Sequence, residues 1–182
     1  MSKIIVFSGA SGVGKSTVLK LVMAARPDLR FSVSATTRAP REGEVDGVSY
    51  FFVTREEFQR MIDRGELLEY DEHFGNLYGT PISQVVSGGN VVLDVEPNGA
   101  FNARKANPEA MLIFITPPSM EELERRLRSR GDTAEEQILL RLERARWEME
   151  QSAKYDYIVI NDQVETCAGE IINIIANTCG EE

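Results

Sequence analysis

Four short stretches of the chain are almost continuously apolar: Lys3–Ser8, Asn90–Val95, Met111–Thr116 and Asp156–Asn161. An alternating pattern would mark a strand with one wet face. Unbroken Val, Ile, Leu and Phe mark a strand buried on both faces. Between these runs lie helical patterns with recognisable starts. Thr54-x-x-Glu57, Ser119-x-x-Glu122 and Thr133-x-x-Glu136 each set a hydroxyl three residues before a carboxylate, the spacing of a capping box. A last helix of about 164–178 gathers Ile171, Ile172, Ile174 and Ile175 towards a core. Strand-helix-strand alternation of this kind predicts an α/β fold, with right-handed crossovers and a parallel sheet flanked by helices.

Two stretches depart from the pattern. Residues 31–80 mix short β-like runs, Phe31–Thr36 and Ser49–Val53, with turns expected at Gly43, Gly47, Gly65, Gly75 and Gly79. They predict a small mixed β lobe inserted into the core. Residues 119–151 are helical in pattern and rich in Arg and Glu, with a break at Arg130-Gly131-Asp132 that predicts two helices meeting at a bend. The chain therefore reads as one domain in three parts: a core (about 1–30, 81–118 and 152–182), the inserted lobe (about 31–80) and a helical lid (about 119–151).

Composition changes this picture little. The chain has 182 residues and is 42% apolar, in the range of a globular domain. Its net charge of −9 argues against a broad nucleic-acid interface, though cations can still cluster around a small anion. The apolar run at the N-terminus is too short for an export signal or a membrane span, so a cytoplasmic location away from membranes is expected. Cys167 and Cys179 form neither a zinc nor a disulfide pattern and read as ordinary packing residues; the lone His73 has no partner pattern for a metal.

The first stretch with specific chemistry is Gly9-Ala10-Ser11-Gly12-Val13-Gly14-Lys15-Ser16, which fits G-x-x-x-x-G-K-[ST]. It directly follows the first buried strand, and from Ser16-Thr17 a helix continues. Glycines let successive backbone N–H groups converge on phosphate oxygens, and the helix N-terminus adds partial positive charge. Lys15 is placed for the β- and γ-phosphates of a nucleoside triphosphate and the Ser16 hydroxyl for Mg²⁺. A chance glycine turn is the bland alternative, and the strand before and helix after weigh against it. The loop alone does not name an acceptor.

The second is residues 36–52, with Arg38, Arg41 and Tyr50. Two arginines three apart beside a phenol could grip one phosphate monoester, because the guanidinium fork matches phosphate oxygens. They read equally well as a solvated turn. The phosphate loop, residues 36–52, Glu69-Tyr70 with Tyr78-Gly79-Thr80, and the arginine-rich helices together resemble the guanylate kinases. The resemblance runs over about residues 3–178, and segment 36–52 is its specific signature.

The resemblance implies that Arg38, Arg41, Tyr50 and Tyr78 hold the phosphate of GMP. It implies that Glu69 accepts from guanine N1–H and N2–H₂, with Ser34 and Thr80 also at the base. A carboxylate there would meet two donors that adenine lacks; without the resemblance Glu69 reads as a surface acid. Asp94 and Glu96, ending the second buried strand, are implied to lie near GMP, with Asp94 also near the magnesium-bound phosphates. Asp94 otherwise reads as a helix N-cap. Arg126, Arg130 and Arg141 are implied to neutralise the transferring phosphoryl. Asn161 is implied to lie by the adenine.

Pro97, Asn98 and Gln163 depart from the family pattern, which leaves the local helix start and the adenine contact less defined. Arg125, Arg128, Arg144 and Arg146 read as Glu–Arg pairs on solvated helix faces, and Trp147 as packing. A scaffold-type binding module would lack a working phosphate loop, and a kinase for AMP or a sugar bisphosphate is disfavoured by Glu69 with Arg38, Arg41 and Tyr50. The reaction expected is MgATP plus GMP giving ADP plus GDP. The sequence leaves open dGMP as a further acceptor and monomer against homodimer.

Overall fold

A computed structural model describes residues 3–73, 75–129 and 134–179. Its strands are β1 (Ile4–Gly9), β2 (Leu29–Phe31), β3 (Ala35–Thr36), β4 (Phe51–Phe52), β5 (Leu67–His73), β6 (Asn76–Pro81), β7 (Asn90–Asp94), β8 (Met111–Thr116) and β9 (Tyr157–Ile160). Its α-helices are α1 (Lys15–Ala25), α2 (Arg55–Asp63), α3 (Ile82–Val86), α4 (Pro97–Ala106), α5 (Met120–Ser129), α6 (Glu135–Glu150) and α7 (Val164–Cys179). The strands form a five-stranded sheet in the order β2-β7-β1-β8-β9 and a four-stranded sheet in the order β4-β3-β6-β5. In the first, β2–β7 and β8–β9 pair in parallel, as the continuous apolar runs predicted.

The chain divides into two compact units. One comprises Met1–Val6 and Asp28–Met111, the other Phe7–Pro27 and Leu112–Glu182.

In the first unit, β3 pairs in parallel with β4 and antiparallel with β6, and β5 pairs antiparallel with β6. Period-two alternation sorts the side chains along β3 and β6, and in β5 a register shift between Leu67 and Glu69 turns Leu67 to the opposite face from Glu69. Ala35, Leu77 and Leu67 join Phe51, Val53, Phe58, Met61 and Ile62 in one cluster, so α2 packs on that face. Glu69, Asp71 and His73 of β5 point the other way, opposite Thr80, Tyr78 and Asn76 of β6. Helix α2 starts as its sequence predicted: the Thr54 hydroxyl accepts from the Glu57 N–H at 3.1 Å.

Gly79 is not a turn, contrary to expectation; it lies inside β6. A side chain there would meet the Glu69 carbonyl and the Phe58 ring at 3.0 Å each, so close approach of α2 and β5 selects the glycine. Gly43, Gly47, Gly65 and Gly75 do have positive φ. Helix α4 begins with Pro97 at its first turn, where the missing N–H costs nothing, and Glu96 rather than Asp94 occupies the N-cap, without a side-chain cap bond.

In the second unit, Leu112, Ile113, Phe114 and Ile115 of β8 and Val159 of β9 are fully buried. Helices α1 and α7 pack together through Val18, Leu19 and Val22 on one and Cys167, Ala168, Ile171 and Ile175 on the other. Burial pushes the Cys167 thiol up to about 11, so it packs as a small apolar group. Ser119 accepts from the Glu122 N–H at 3.1 Å, the second expected cap; the third, at Thr133, lies outside the described residues. No helix among the described residues is long and apolar enough to cross a membrane.

Candidate active site

In the second unit the phosphate loop turns directly out of β1. Each of its glycines answers a close approach. A Cβ on Gly9 would lie 2.7 Å from the Ile115 carbonyl oxygen, one on Gly12 2.6 Å from Leu127 Cδ2, and one on Gly14 3.0 Å from Asn161 Nδ2. Gly12 and Gly14 also have φ of 85° and 94°, conformations that L side chains resist. The protein fastens the start of the loop: Ala10 N–H donates to Ile115 O at 3.2 Å, Val13 N–H to Ala10 O at 3.0 Å, and Ser11 N–H to Glu148 Oε2 at 2.7 Å.

Helix α1 then starts at Lys15, with Gly14 as N-cap, no capping side chain and no acid in its first turn. Its N-terminal dipole is thereby left for an anion. Lys15 is half-buried, and Ser16 and Thr17 are exposed on that first turn.

Beside the loop is an open cavity of about 540 Å³, lined by Gly12, Val13, Gly14, Thr17, Arg126 and Asn161 among others. Asn161 is 2% exposed. Its Nδ2 donates to Val13 O at 2.8 Å, while its Oδ1 is buried without a hydrogen-bond partner among the described residues. A buried acceptor in that state is costly until a donor arrives, and an exocyclic amine would supply one. Arg126 on α5 donates to Glu122 at 2.7 Å and to the carbonyls of Asn161 and Asp162 at 2.7 and 3.1 Å, so it stands at the same cavity.

Arg125 shares Glu122 with it, and the two guanidiniums hold that carboxyl down to about 2. Arg128 joins Glu124 to Glu135 and so links α5 to α6, as a solvated pair should. Arg141 lies half-buried on α6, while Arg130 lies outside the described residues. Arg144 does not fit the expectation of a merely solvated pair. It binds Glu148, which is 1% exposed, at 2.8 Å, and its guanidinium lies 4.3 Å from the centre of the Trp147 ring.

In the first unit, the four-stranded sheet and the loops beside it bring together side chains far apart in sequence. Arg38 is mostly buried; it donates to Glu44 at 2.8 Å and to Ala39 O at 2.7 Å, and its guanidinium lies over the rings of Tyr50 and Phe52, 5.4 and 5.8 Å from their centres. Tyr50 meets Tyr78 edge-on at 6.0 Å. The Glu44 carboxylate, with a Tyr78 contact as a smaller cause, raises the Arg38 pKa further. Glu44 also accepts the Arg41 N–H at 2.8 Å, although the Arg41 side chain itself is exposed. A cation held against two aromatic rings and hydrogen-bonded on one edge is organised for an anion. Ser34 binds this segment together, its carbonyl accepting from Phe51 N–H at 2.9 Å.

Glu69 is the most perturbed acid of the lobe. It is 5% exposed, and its Oε1 accepts from the Thr80 hydroxyl at 2.6 Å. Burial pushes its carboxyl up to about 7, against the pull of the Thr80 hydrogen bonds. Helix α4 closes over it: Asn102 donates to the Tyr70 carbonyl at 3.2 Å, and a Cβ on Gly99 would lie 2.7 Å from Glu69 Oε2. Asp94 and Glu96, at the end of β7 and the N-cap of α4, are half-buried in the same unit.

Sequence reasoning missed Glu44, Gly99 and Glu148. For Glu44 the nearby Arg38 and Arg41 were a usable signal. Gly99 and Glu148 have none, because their partners, Glu69 and Ser11, are remote in sequence.

The comparisons with known proteins agree. The family model described as guanylate kinase matches residues 1–178. The chain is 47% identical over 184 residues to the guanylate kinase of Halalkalibacterium halodurans, covering 98% of this chain and 90% of that one. It is 49% identical over 178 residues to that of Streptococcus agalactiae, covering 94% and 85%. The crystal structure of guanylate kinase from Anaplasma phagocytophilum matches with a TM-score of 0.76 at 36% identity, over 97% of this chain and 85% of that one.

Proposed function

Because the chain belongs to the guanylate kinase family, and so transfers the γ-phosphoryl of ATP to GMP, we propose the following division of labour among its residues. Gly9, Ala10, Ser11, Gly12, Val13, Gly14, Lys15, Ser16 and Thr17 hold the triphosphate of ATP, and Asn161 receives the adenine amine on its buried Oδ1. Lys15 neutralises charge at the β- and γ-phosphates. Arg38, Arg41, Tyr50 and Tyr78 hold the phosphate of GMP; Glu69, Ser34 and Thr80 hold its base; Asp94 and Glu96 complete that subsite. Arg126, Arg130 and Arg141 neutralise the phosphoryl in flight. These roles follow the proposed parts: a core, a GMP-binding lobe over 31–80 and a lid over 119–151.

The observation that carries the reading is Glu69, a buried carboxylate already oriented by Thr80. Desolvating an acid is unfavourable unless a ligand repays it, and guanine offers two N–H donors side by side where adenine does not. Arg38 is fixed in the same way before any phosphate arrives, which lowers the entropy lost on binding. Little covalent chemistry is asked of the protein in phosphoryl transfer; charge neutralisation, alignment and exclusion of water do the rest.

Mg²⁺ fits the residues present. The Ser16 hydroxyl and the Asp94 carboxylate are hard oxygen donors of the kind Mg²⁺ takes beside phosphate oxygens and water. Ser16 and Asp94 are the residues we propose for it. When bound, the ion neutralises phosphate charge. With both substrates in the cytoplasmic nucleotide pool, the reading extends to a cytoplasmic enzyme that recycles GMP, with dGMP as a further acceptor to be tested.

A coupled assay of ADP release with MgATP and, separately, GMP, AMP, CMP and UMP tests the proposal. Selective turnover with GMP, lost in Glu69→Ala, is the expected result. Equal turnover with AMP, or full activity in Glu69→Ala, would overturn the role given to Glu69.

A further inference from the structure

Among the described residues, the buried acid that the reaction described above does not use is Glu148. It lies on α6, 1% exposed, and each of its two oxygens accepts a hydrogen bond. Oε2 accepts the Ser11 N–H of the phosphate loop at 2.7 Å; Oε1 accepts from Arg144 Nε at 2.8 Å. A carboxylate beside a loop that receives triphosphate works against anion binding unless its charge is cancelled. Arg144 cancels it, and Trp147 holds Arg144 in place through its ring. A buried ion pair is poor evidence of a gain in stability, since apolar residues could fill the space as well. The directed contact to Ser11 is what an apolar replacement would forfeit.

Position on the helix supplies the second half of the argument. Arg141 and Glu148 are seven residues apart, two turns, and so share one face of α6; Arg144 lies one turn from each. The contact that fastens the phosphate loop therefore also fixes the rotation of the helix that bears Arg141.

We propose that Glu148 is a positioning residue of the phosphoryl-transfer reaction, its carboxylate holding the start of the phosphate loop in register with the arginine-bearing face of α6. Arg144 is its charge partner. This inference rests on the reading of residues 9–17 as the ATP site.

The test combines steady-state kinetics with calorimetry of MgATP binding in the absence of GMP, and with the thermal midpoint, for Glu148→Ala, Glu148→Gln, Arg144→Met and the Arg144→Met/Glu148→Gln double variant. Losing a charge-assisted hydrogen bond to the loop should lower kcat/KM for MgATP by about 30-fold in Glu148→Ala, with KM for GMP within about threefold of wild type. Glu148→Gln keeps an acceptor for the Ser11 N–H and should recover part of the loss. Arg144→Met removes the guanidinium paired with this carboxylate and should weaken MgATP binding, and Glu148→Gln in that background should restore it.

Wild-type MgATP affinity and kcat in folded Glu148→Ala would overturn the proposal. So would ATP and GMP constants that fall together in proportion to lost thermal stability, without rescue in the double variant. Absence of GMP turnover in the wild type would sink the functional reading instead, and the calorimetric arm would still report on Glu148.

Discussion

In the proposed reading the phosphate loop and the acceptor face around Arg38 and Glu69 both receive phosphate, yet they are built by opposite means. The loop uses backbone: a strand end, glycines at φ of 85° and 94°, and the first turn of a helix, all within nine consecutive residues. The acceptor face uses side chains: Arg38 and Tyr50 from one segment, Glu69 from β5, Tyr78 and Thr80 from β6, with α4 closing over Glu69. Backbone groups are identical in every residue, so the loop recognises a charge common to all nucleoside triphosphates. Side chains differ, so the lobe can tell one base from another. Generic affinity is thus local in sequence, and specificity is not.

The largest test of this contrast is Lys15→Ala. It should lower kcat/KM by about 10⁴-fold for every acceptor alike, because it removes charge from the phosphoryl and not from the base. Turnover near wild type in the ADP-release assay would break the assignment.

Glu69→Gln should fall next, by about 10³-fold in kcat/KM for GMP, while MgATP affinity is preserved. It carries an opposite effect on stability. Since burial raises the Glu69 pKa from 4.5 to about 7, the folded protein binds this proton more tightly than the unfolded chain does. Glu69 therefore favours folding most at low pH, and stability falls as pH rises through this window, by about 3 kcal/mol in all. At pH 8 the Gln variant, freed of a buried charge, should be more stable than wild type by up to that amount in denaturant titrations, and at pH 4 the advantage should vanish.

The same shift predicts pH-dependent binding. Guanine needs the ionised carboxylate, so GMP affinity should drop about fivefold from pH 7 to pH 6 beyond the effect of protonating the GMP phosphate itself. The excess should be absent in Glu69→Gln, and MgATP affinity measured alongside should lack it. A pH profile for GMP identical in the two proteins would remove the titration of Glu69 from the account.

Gly99→Ala sharpens the comparison with a single methyl group. Alanine favours helix, but its Cβ would stand 2.7 Å from Glu69 Oε2. Displacing that carboxylate should cost about tenfold in GMP affinity, the order expected of overpacking, with little change in thermal stability. Smallest is Thr54→Ala, which removes the cap of α2 and should cost about 1 kcal/mol of stability without altering base selectivity.

Much of this was legible from the sequence. Continuous apolar runs gave the parallel strands because a strand buried on both faces has no alternation to show. Thr54 and Ser119 marked helix starts because a cap is satisfied within three residues. The strand, glycine turn and helix start of the phosphate loop were legible, since local glycines dictate that backbone conformation. The same local logic failed at Gly79, read as a turn, because the contact that selects this glycine comes from Glu69 and Phe58 on other elements.

By itself, then, the sequence determined whatever neighbours along the chain can decide: strand, cap, anion loop. The tertiary structure decided what depends on which remote groups exclude water from one another. Glu69 is a surface acid until α4 and Thr80 enclose it, and Arg144 a solvated helix charge until Glu148 is buried against Ser11. Burial is a property of the whole fold, and it is burial that turns an ordinary carboxylate into one that must have a particular partner.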